Sequence, residues 1–214
     1  MIELIWSDKL AYAVGLIATD GHLSIDGRHL SLTSKDIEQL NNFKKCLQLE
    51  VKISYKNSGY SGLCPHVQFS NVKLYRWLLG IGVCQQKTKN IGKLDIPDKF
   101  FFDFLRGEYD GDGYSYAYYD PRWRSSYMIY TTFVAKNKKH LIWLEKTIYR
   151  LTGLHGQIGF SSRVFQLRYA KRASLELYKR MFYGKNVICL SRKKDKFKKF
   201  IAVAEMEELE DSRP

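Results

Sequence analysis

The chain has 214 residues and a formal net charge of +13, long enough for one large core or two small ones. Its plentiful aliphatic and aromatic residues exclude a disordered tail, and the cationic surplus points to a polyanionic partner, of which nucleic acid is the commonest. The four cysteines, Cys46, Cys64, Cys84 and Cys189, make no CxxC pair and no zinc-knuckle spacing, so reduced thiols in an intracellular protein are expected.

At the N-terminus, Glu3, Asp8 and Lys9 surround only a short apolar run, which fits neither a secretion signal nor a membrane span. Ser7 is a suitable N-cap for a helix from Asp8 to Thr19. His22 to Thr33 has strand-like patterning broken by Asp26-Gly27, a hairpin turn signal. Ile37, Leu40, Phe43 and Leu47 recur at helical spacing. In "VKISYK", Val51, Ile53 and Tyr55 alternate with Lys52, Ser54 and Lys56, and in "HVQFS" Val67 and Phe69 alternate with His66, Gln68 and Ser70. "NSGYSG" between them reads as a turn, and "NVKLYRWLLGIG" as a short helix stopped by glycine.

The order then repeats. Pro97-Asp98 opens a helix through about Tyr109. A hairpin follows around Asp120-Pro121, then a helix closed by Gly153, a second hairpin turning near Ser161-Ser162, and a helix in "RASLELYKRMFYG". The junction lies near "KTKNIGKLDIP", which suggests halves at 1–94 and 95–214, and a basic helical stretch follows Arg192. The expected fold is α+β: two αββαββα halves, each an antiparallel sheet with helices on one face. One face of each sheet is then open, and its outward residues are polar or basic: Lys52, Lys56, His66, Gln68, Gln166 and Arg168. Arg122 and Arg124 flank Trp123 at a hairpin tip, and Arg28 and Arg163 lie at other turns. Antiparallel ribbons with such side chains can read base edges in the major groove.

Two segments coincide when placed in register: Gly15 with Gly107, Asp20 with Asp112, Gly21 with Gly113. Glycine inside a helix costs about 1 kcal/mol against alanine, so its repetition suggests that two backbones approach closely. An acid in the last turn opposes the helix dipole by roughly 0.3–1 kcal/mol, and here this occurs twice. If the helices pack side by side in the same sense, the two carboxylates meet and call for a cation. Oxygen ligands suit a hard divalent ion such as Mg2+. Gly21 and Gly113 are expected to leave the helices with positive φ. "DGDG" at Asp110–Gly113 is not an EF-hand start, because Ser115 and Pro121 stand where the glycine and the final acid belong. His22 and His29 have no second histidine at ligand spacing and are expected to be strand residues.

"AVGLIATDG" at 13–21 and "LRGEYDGDG" at 105–113 resemble two copies of the motif that names the LAGLIDADG homing endonucleases. The resemblance extends to the element order of both halves. It implies a monomer of two pseudo-symmetric halves joined through the motif helices, with a curved sheet from each half in the major groove of double-stranded DNA. It implies metal-dependent cleavage of a long target at acids Asp20 and Asp112, with carbonyls at Thr19 and Gly111 completing the metal shells. Mg2+ or Mn2+ would support cleavage, and Ca2+ would replace them without it. Polar side chains near each scissile phosphate correspond to Lys87 and to Arg192 or Lys193. Ala18 and Thr19 depart from the motif's Asp-Ala, at a position that is variable in the family. Gln39, Asn41 and Asn42 are further candidates for DNA contact. Some relatives bind RNA as maturases or bind DNA as regulators without cutting, and this is the alternative. The termini carry no splice-junction Cys or His-Asn pair, which argues against an intein, and no nucleotide loop or nucleophile motif supports a metabolic enzyme.

Overall fold

A computed structural model describes residues 2–57 and 62–211, with the side chains at 88–89, 123–125 and 208–211 outside the description. Helix α1 spans Asp8–Thr19, and Ser7 caps it by accepting from the Leu10 N–H at 3.2 Å. Every residue from Leu10 to Ala18 is buried, so this helix is internal on all sides. Strands β1 (Gly21–Leu23) and β2 (His29–Thr33) form the expected hairpin, with Gly27 at φ 76° in its turn. Helix α2 (Ile37–Leu47), β3 (Ser54–Asn57), β4 (Leu63–Ser70), α3 (Val72–Gly80) and the short α4 (Lys87–Asn90) complete the first half.

The second half begins with a 3-10 turn at Asp98–Phe100, which leads into α5 (Phe101–Gly111). It continues with β5 (Tyr114–Asp120), β6 (Trp123–Ala135), α6 (Lys138–Thr152), β7 (Gln157–Ser161), β8 (Val164–Tyr169), α7 (Lys171–Met181) and α8 (Ser191–Asp211). The two four-stranded antiparallel sheets run β1-β2-β4-β3 and β5-β6-β8-β7, the same path twice. The α+β fold of two like halves is therefore present. The expected boundary after Leu94 falls between α4 and the 3-10 turn.

Three local expectations change. Lys52 precedes β3 rather than lying in it, and Tyr55 is exposed, while Val51 and Ile53 pack on the core. The second hairpin of the second half turns at Ser162-Arg163, both at positive φ (53° and 65°), one residue later than expected. Gly21 and Gly113 are not in the left-handed region. Their reason is space: a Cβ would stand 2.6 Å from the Cα of Ile17 or of Tyr109, one turn back.

Helices α1 and α5 pack along a seam at the centre of the molecule. The contacts advance in the same direction on both helices, Tyr12 and Gly15 against Phe104 to Glu108, then Thr19 against Gly111, so the C-terminal ends lie together. A Cβ on Gly15 would reach 2.8 Å from Glu108 N, and one on Gly107 would press on the Tyr12 carbonyl. Across the seam Tyr12 Oη donates to Asp110 Oδ2 at 2.8 Å. Of the charged residues buried on α5, Arg106 meets Asp103 at 2.8 Å and donates to the carbonyls of Met181 and Ile188.

Candidate active site

The ends of α1 and α5 carry Asp20 and Asp112 as C-cap residues, with nearly equal backbone angles. Asp20 is oriented from α2: Gln39 Nε2 donates to its Oδ2 at 2.7 Å, and Ser34 Oγ donates to Gln39 Oε1 at 2.6 Å. Gln39 is buried, and its amide is taken up by the acid and by Ser34. Asn42 likewise donates to the Cys189 carbonyl at 2.8 Å and ties the two halves together, leaving Asn41 as the exposed member of the three.

Among the described residues the Asp112 carboxylate has no hydrogen bond or ion pair. The residue is exposed at the cleft, yet the protein packed around its carboxylate, then the charges of Asp20 and Glu108, push its pKa up to about 6 against the pull of Lys87 and Lys193. Burial also raises Asp20, against the Gln39 hydrogen bond and the nearby lysines. Loss of water is thus the main cause at both acids, and Lys87 and Lys193 work against it.

A lysine stands at each helix end. Lys87, on the first turn of α4, places Nζ on the carbonyls of Ala18, at 3.1 Å, and of Thr19. Lys193, on the first turn of α8, places Nζ on the carbonyls of Tyr109, Asp110, Gly111 and Gly113 at 2.6–3.0 Å. Carbonyls at a helix C-terminus lack intrahelical partners, and a cation there also offsets the dipole. The Thr19 and Gly111 carbonyls expected to face a metal thus each hold a lysine. An ammonium has three protons. Lys87 uses two and keeps one for the cleft, whereas the three of Lys193 are shared among four acceptors. Burial lowers both pKa values, that of Lys193 to about 8, against the pull of the neighbouring acids.

Arg192 does not join this cluster. One residue earlier on α8, it points outward and pairs with Asp36 at 2.6 Å, while Ser191 Oγ donates to Glu38 Oε1 at 2.5 Å. Both contacts dock α8 on the first half and set the phase that turns Lys193 inward. Asp110, at the motif position that is Ala18 in the first copy, also serves this docking. It accepts from the Leu190 N–H at 2.7 Å and from Tyr12, and burial pushes it up to about 6.

A cleft of about 280 Å³ opens beside Asp112 and is lined by Thr19, Lys87, Glu108, Lys136 and His140. His140 bridges the halves, with Nε2 3.1 Å from Glu108 Oε1 and Nδ1 2.8 Å from the Gly92 carbonyl. Glu108 and His140 were not among the expected site residues. A signal existed: His140 lies three residues after the N-cap Asn137, as Gln39 lies three after the N-cap Asp36.

The outward sheet faces hold most of the expected contact residues. His66 and Gln68 lie opposite Thr33 and Ser31, and Gln166 and Arg168 opposite Val134 and Thr132. Lys56 is exposed and lines a polar recess with His22, His29 and Ser31, so the two histidines are strand residues as expected. Arg28 and Arg163 are exposed at turns, and Arg122 is exposed and bound to Asp120 at 2.9 Å. The Arg124 side chain lies outside the described residues. No described helix is long and apolar enough to cross a membrane.

No protein-family profile and no curated protein sequence matches this chain. Solved structures do. The LAGLIDADG homing endonuclease I-LtrWI bound to target DNA superposes with a TM-score of 0.62 at 12% identity, covering 95% of this chain and 92% of that one. I-DmoI in complex with DNA and Mn gives 0.54 at 18% identity, over 83% of this chain and 97% of that one. Full-length DUF199/WhiA from Thermatoga maritima gives 0.58 at 11% identity over 94% of this chain, which spans 63% of that protein. The chain thus has the pseudo-symmetric LAGLIDADG fold, with both motif helices in a single polypeptide.

Proposed function

We propose that the protein is a site-specific endonuclease that hydrolyses phosphodiester bonds in both strands of a long double-stranded DNA target, acting as a monomer. The observation that carries this is the pairing of two acid-tipped helices, each end held by its own lysine. The donor set fits a divalent cation. Asp112 has no hydrogen-bond or ion-pair partner among the described residues, and the like charges of Asp20 and Glu108 act on it against Lys87 and Lys193. Asp20 and Asp112 would hold Mg2+ or Mn2+, which supplies charge stabilisation and an acidified water. I-DmoI structures in complex with DNA contain Mn or Ca.

This chain's own residues supply the rest. Gln39 fixes the Asp20 carboxylate, and Lys87 directs its remaining proton toward the cleft to hold the phosphate or polarise water. Lys193, saturated by carbonyls, keeps the α5 end in place. Basic side chains on the sheets and turns neutralise backbone phosphates, and Gln68, Gln166 and Arg168 contact base edges.

The likeness to the N-terminal LAGLIDADG domain of DUF199/WhiA, TM-score 0.55 over 86% of both chains, supports a second reading: DNA binding without cleavage. Duplexes selected for binding from a randomised library separate the two. The nuclease cuts them when Mg2+ is added and not in EDTA. A protein that binds them selectively and leaves both strands intact in Mg2+ and in Mn2+ is the binding relative.

A further inference from the structure

The two sheets have the same topology and different outward chemistry. On the first, His22, Ser31 and Gln68 lie side by side across β1, β2 and β4, next to His29 and Lys56. All are hydrogen-bonding groups. On the second, Tyr114 takes the place of His22, both two residues after the motif acid. Beyond it the pairs Tyr116–Tyr130 and Tyr118–Met128 share the outward side, while Ser115, Ile129 and Thr131 are buried on the other.

The four tyrosines form a stack. Tyr116 and Tyr130 have ring centroids 5.2 Å apart at 18°, Tyr116 and Tyr118 6.2 Å at 7°, and Tyr118 and Tyr130 6.0 Å at 11°. Tyr114 joins Tyr116 at 6.0 Å. Arg168 covers Tyr130, with its guanidinium carbon 5.9 Å from the ring centre. Because the rings face one another, the π surfaces inside the stack are covered by neighbouring rings and closed to unstacked bases. Ring edges remain for the ligand, while the Tyr116 hydroxyl already accepts from Arg168 Nη1 at 3.5 Å. Tyr114 and Tyr118 are 38% and 41% exposed, so the ridge is presented and not sunk in the sheet.

Resting on the duplex-binding function above, the geometry points to a divided target: the half-site under the second sheet is read through thymine C5-methyl groups packed against the tyrosine ridge. Thymine is the base that presents a methyl group in the major groove. Residues two apart on a strand are about 6.8 Å apart, which matches two base-pair steps of about 3.4 Å. The Arg168 charge beside the ridge suits the polyanion. The half-site under the first sheet is read by hydrogen bonds from Gln68, Lys56 and the histidines and carries no such demand for methyl groups.

The test uses the full-length protein and duplexes selected from a randomised library. One half of the consensus is expected to be rich in T·A pairs. Replacing its thymines by deoxyuridine, which removes only the methyl, weakens binding by about threefold to fourfold per contacted base, and the same exchange in the other half changes nothing. Tyr118→Ser abolishes the penalty at its base, whereas Tyr118→Phe keeps it. Unchanged recognition of the other half by both variants shows that they are folded. Selective binding that tolerates deoxyuridine throughout, or loses equally in both halves, overturns the divided target and leaves the duplex-binding function standing. Tighter binding to single strands than to duplex overturns both.

Discussion

Gln39 Nε2 donates to Asp20 Oδ2 at 2.7 Å, and its own carbonyl is held by Ser34. No equivalent contact orients Asp112 among the described residues, since the matching side chain, His140, turns to Glu108. The two acids therefore differ in restraint. Gln39→Ala should slow cleavage of one strand about tenfold, as loss of an outer partner of a ligand commonly does, while the other strand is cut normally. Supercoiled plasmid carrying the target would accumulate as nicked circle. Equal slowing of both strands would contradict this role.

The seam predicts a steep glycine dependence. Gly107→Ala presses a methyl group on the Tyr12 carbonyl, backbone that cannot rotate away. A loss of about 1–3 kcal/mol is expected. Gly159→Ala is the control, because nothing lies within 4 Å of its added Cβ. Urea unfolding of both variants gives the comparison.

The lysines should separate by function. Lys193→Met leaves four helix-end carbonyls without their cation and should cost about 3 kcal/mol. Lys87→Met abandons two carbonyls and removes the proton directed at the cleft. It should be the more stable of the two variants, with cleavage lost and duplex binding retained. Thermal melting and single-turnover cleavage distinguish them.

Asp110, which is buried, and Asp112, which is exposed at the cleft, both have pKa values raised from 3.8 to about 6, first by the loss of water around the carboxylate. In the metal-free protein the folded state holds these protons more tightly than the unfolded chain. Their contribution is favourable below about pH 4 and is lost as the pH rises through about 6. Asp112→Asn removes one of the two, so its stability advantage over wild type should grow between pH 4 and pH 6 and then level off. Melting temperatures in EDTA across this range measure it. Under the proposed function, cleavage should run the other way, rising with pH as Asp112 ionises.

Much of this architecture is legible along the chain because its signals are local. Ser7 caps α1, Gly27 turns the first hairpin, and the matched glycines mark the seam. What escapes the sequence depends on partners far along the chain. Gln39 looks like any polar helix residue until α2 is docked against α1. The choice between Arg192 and Lys193 depends on the phase of α8, which Glu38 and Asp36 set from the other half. Tyr55 alternates correctly and still points to solvent, because β3 is an edge strand that among the described residues pairs with β4 alone. Gly21 and Gly113 looked like conformational breaks, yet the preceding helical turn leaves them no room for a side chain.

The most direct measurement is linearisation of a plasmid bearing the selected target in Mg2+ by wild type, Asp20→Asn and Asp112→Asn at equal occupancy of the DNA. Wild type should linearise it, and neither variant should produce linear DNA while still binding the site. Linear product from both variants at the wild-type rate would show that the converging acids are not the site of hydrolysis.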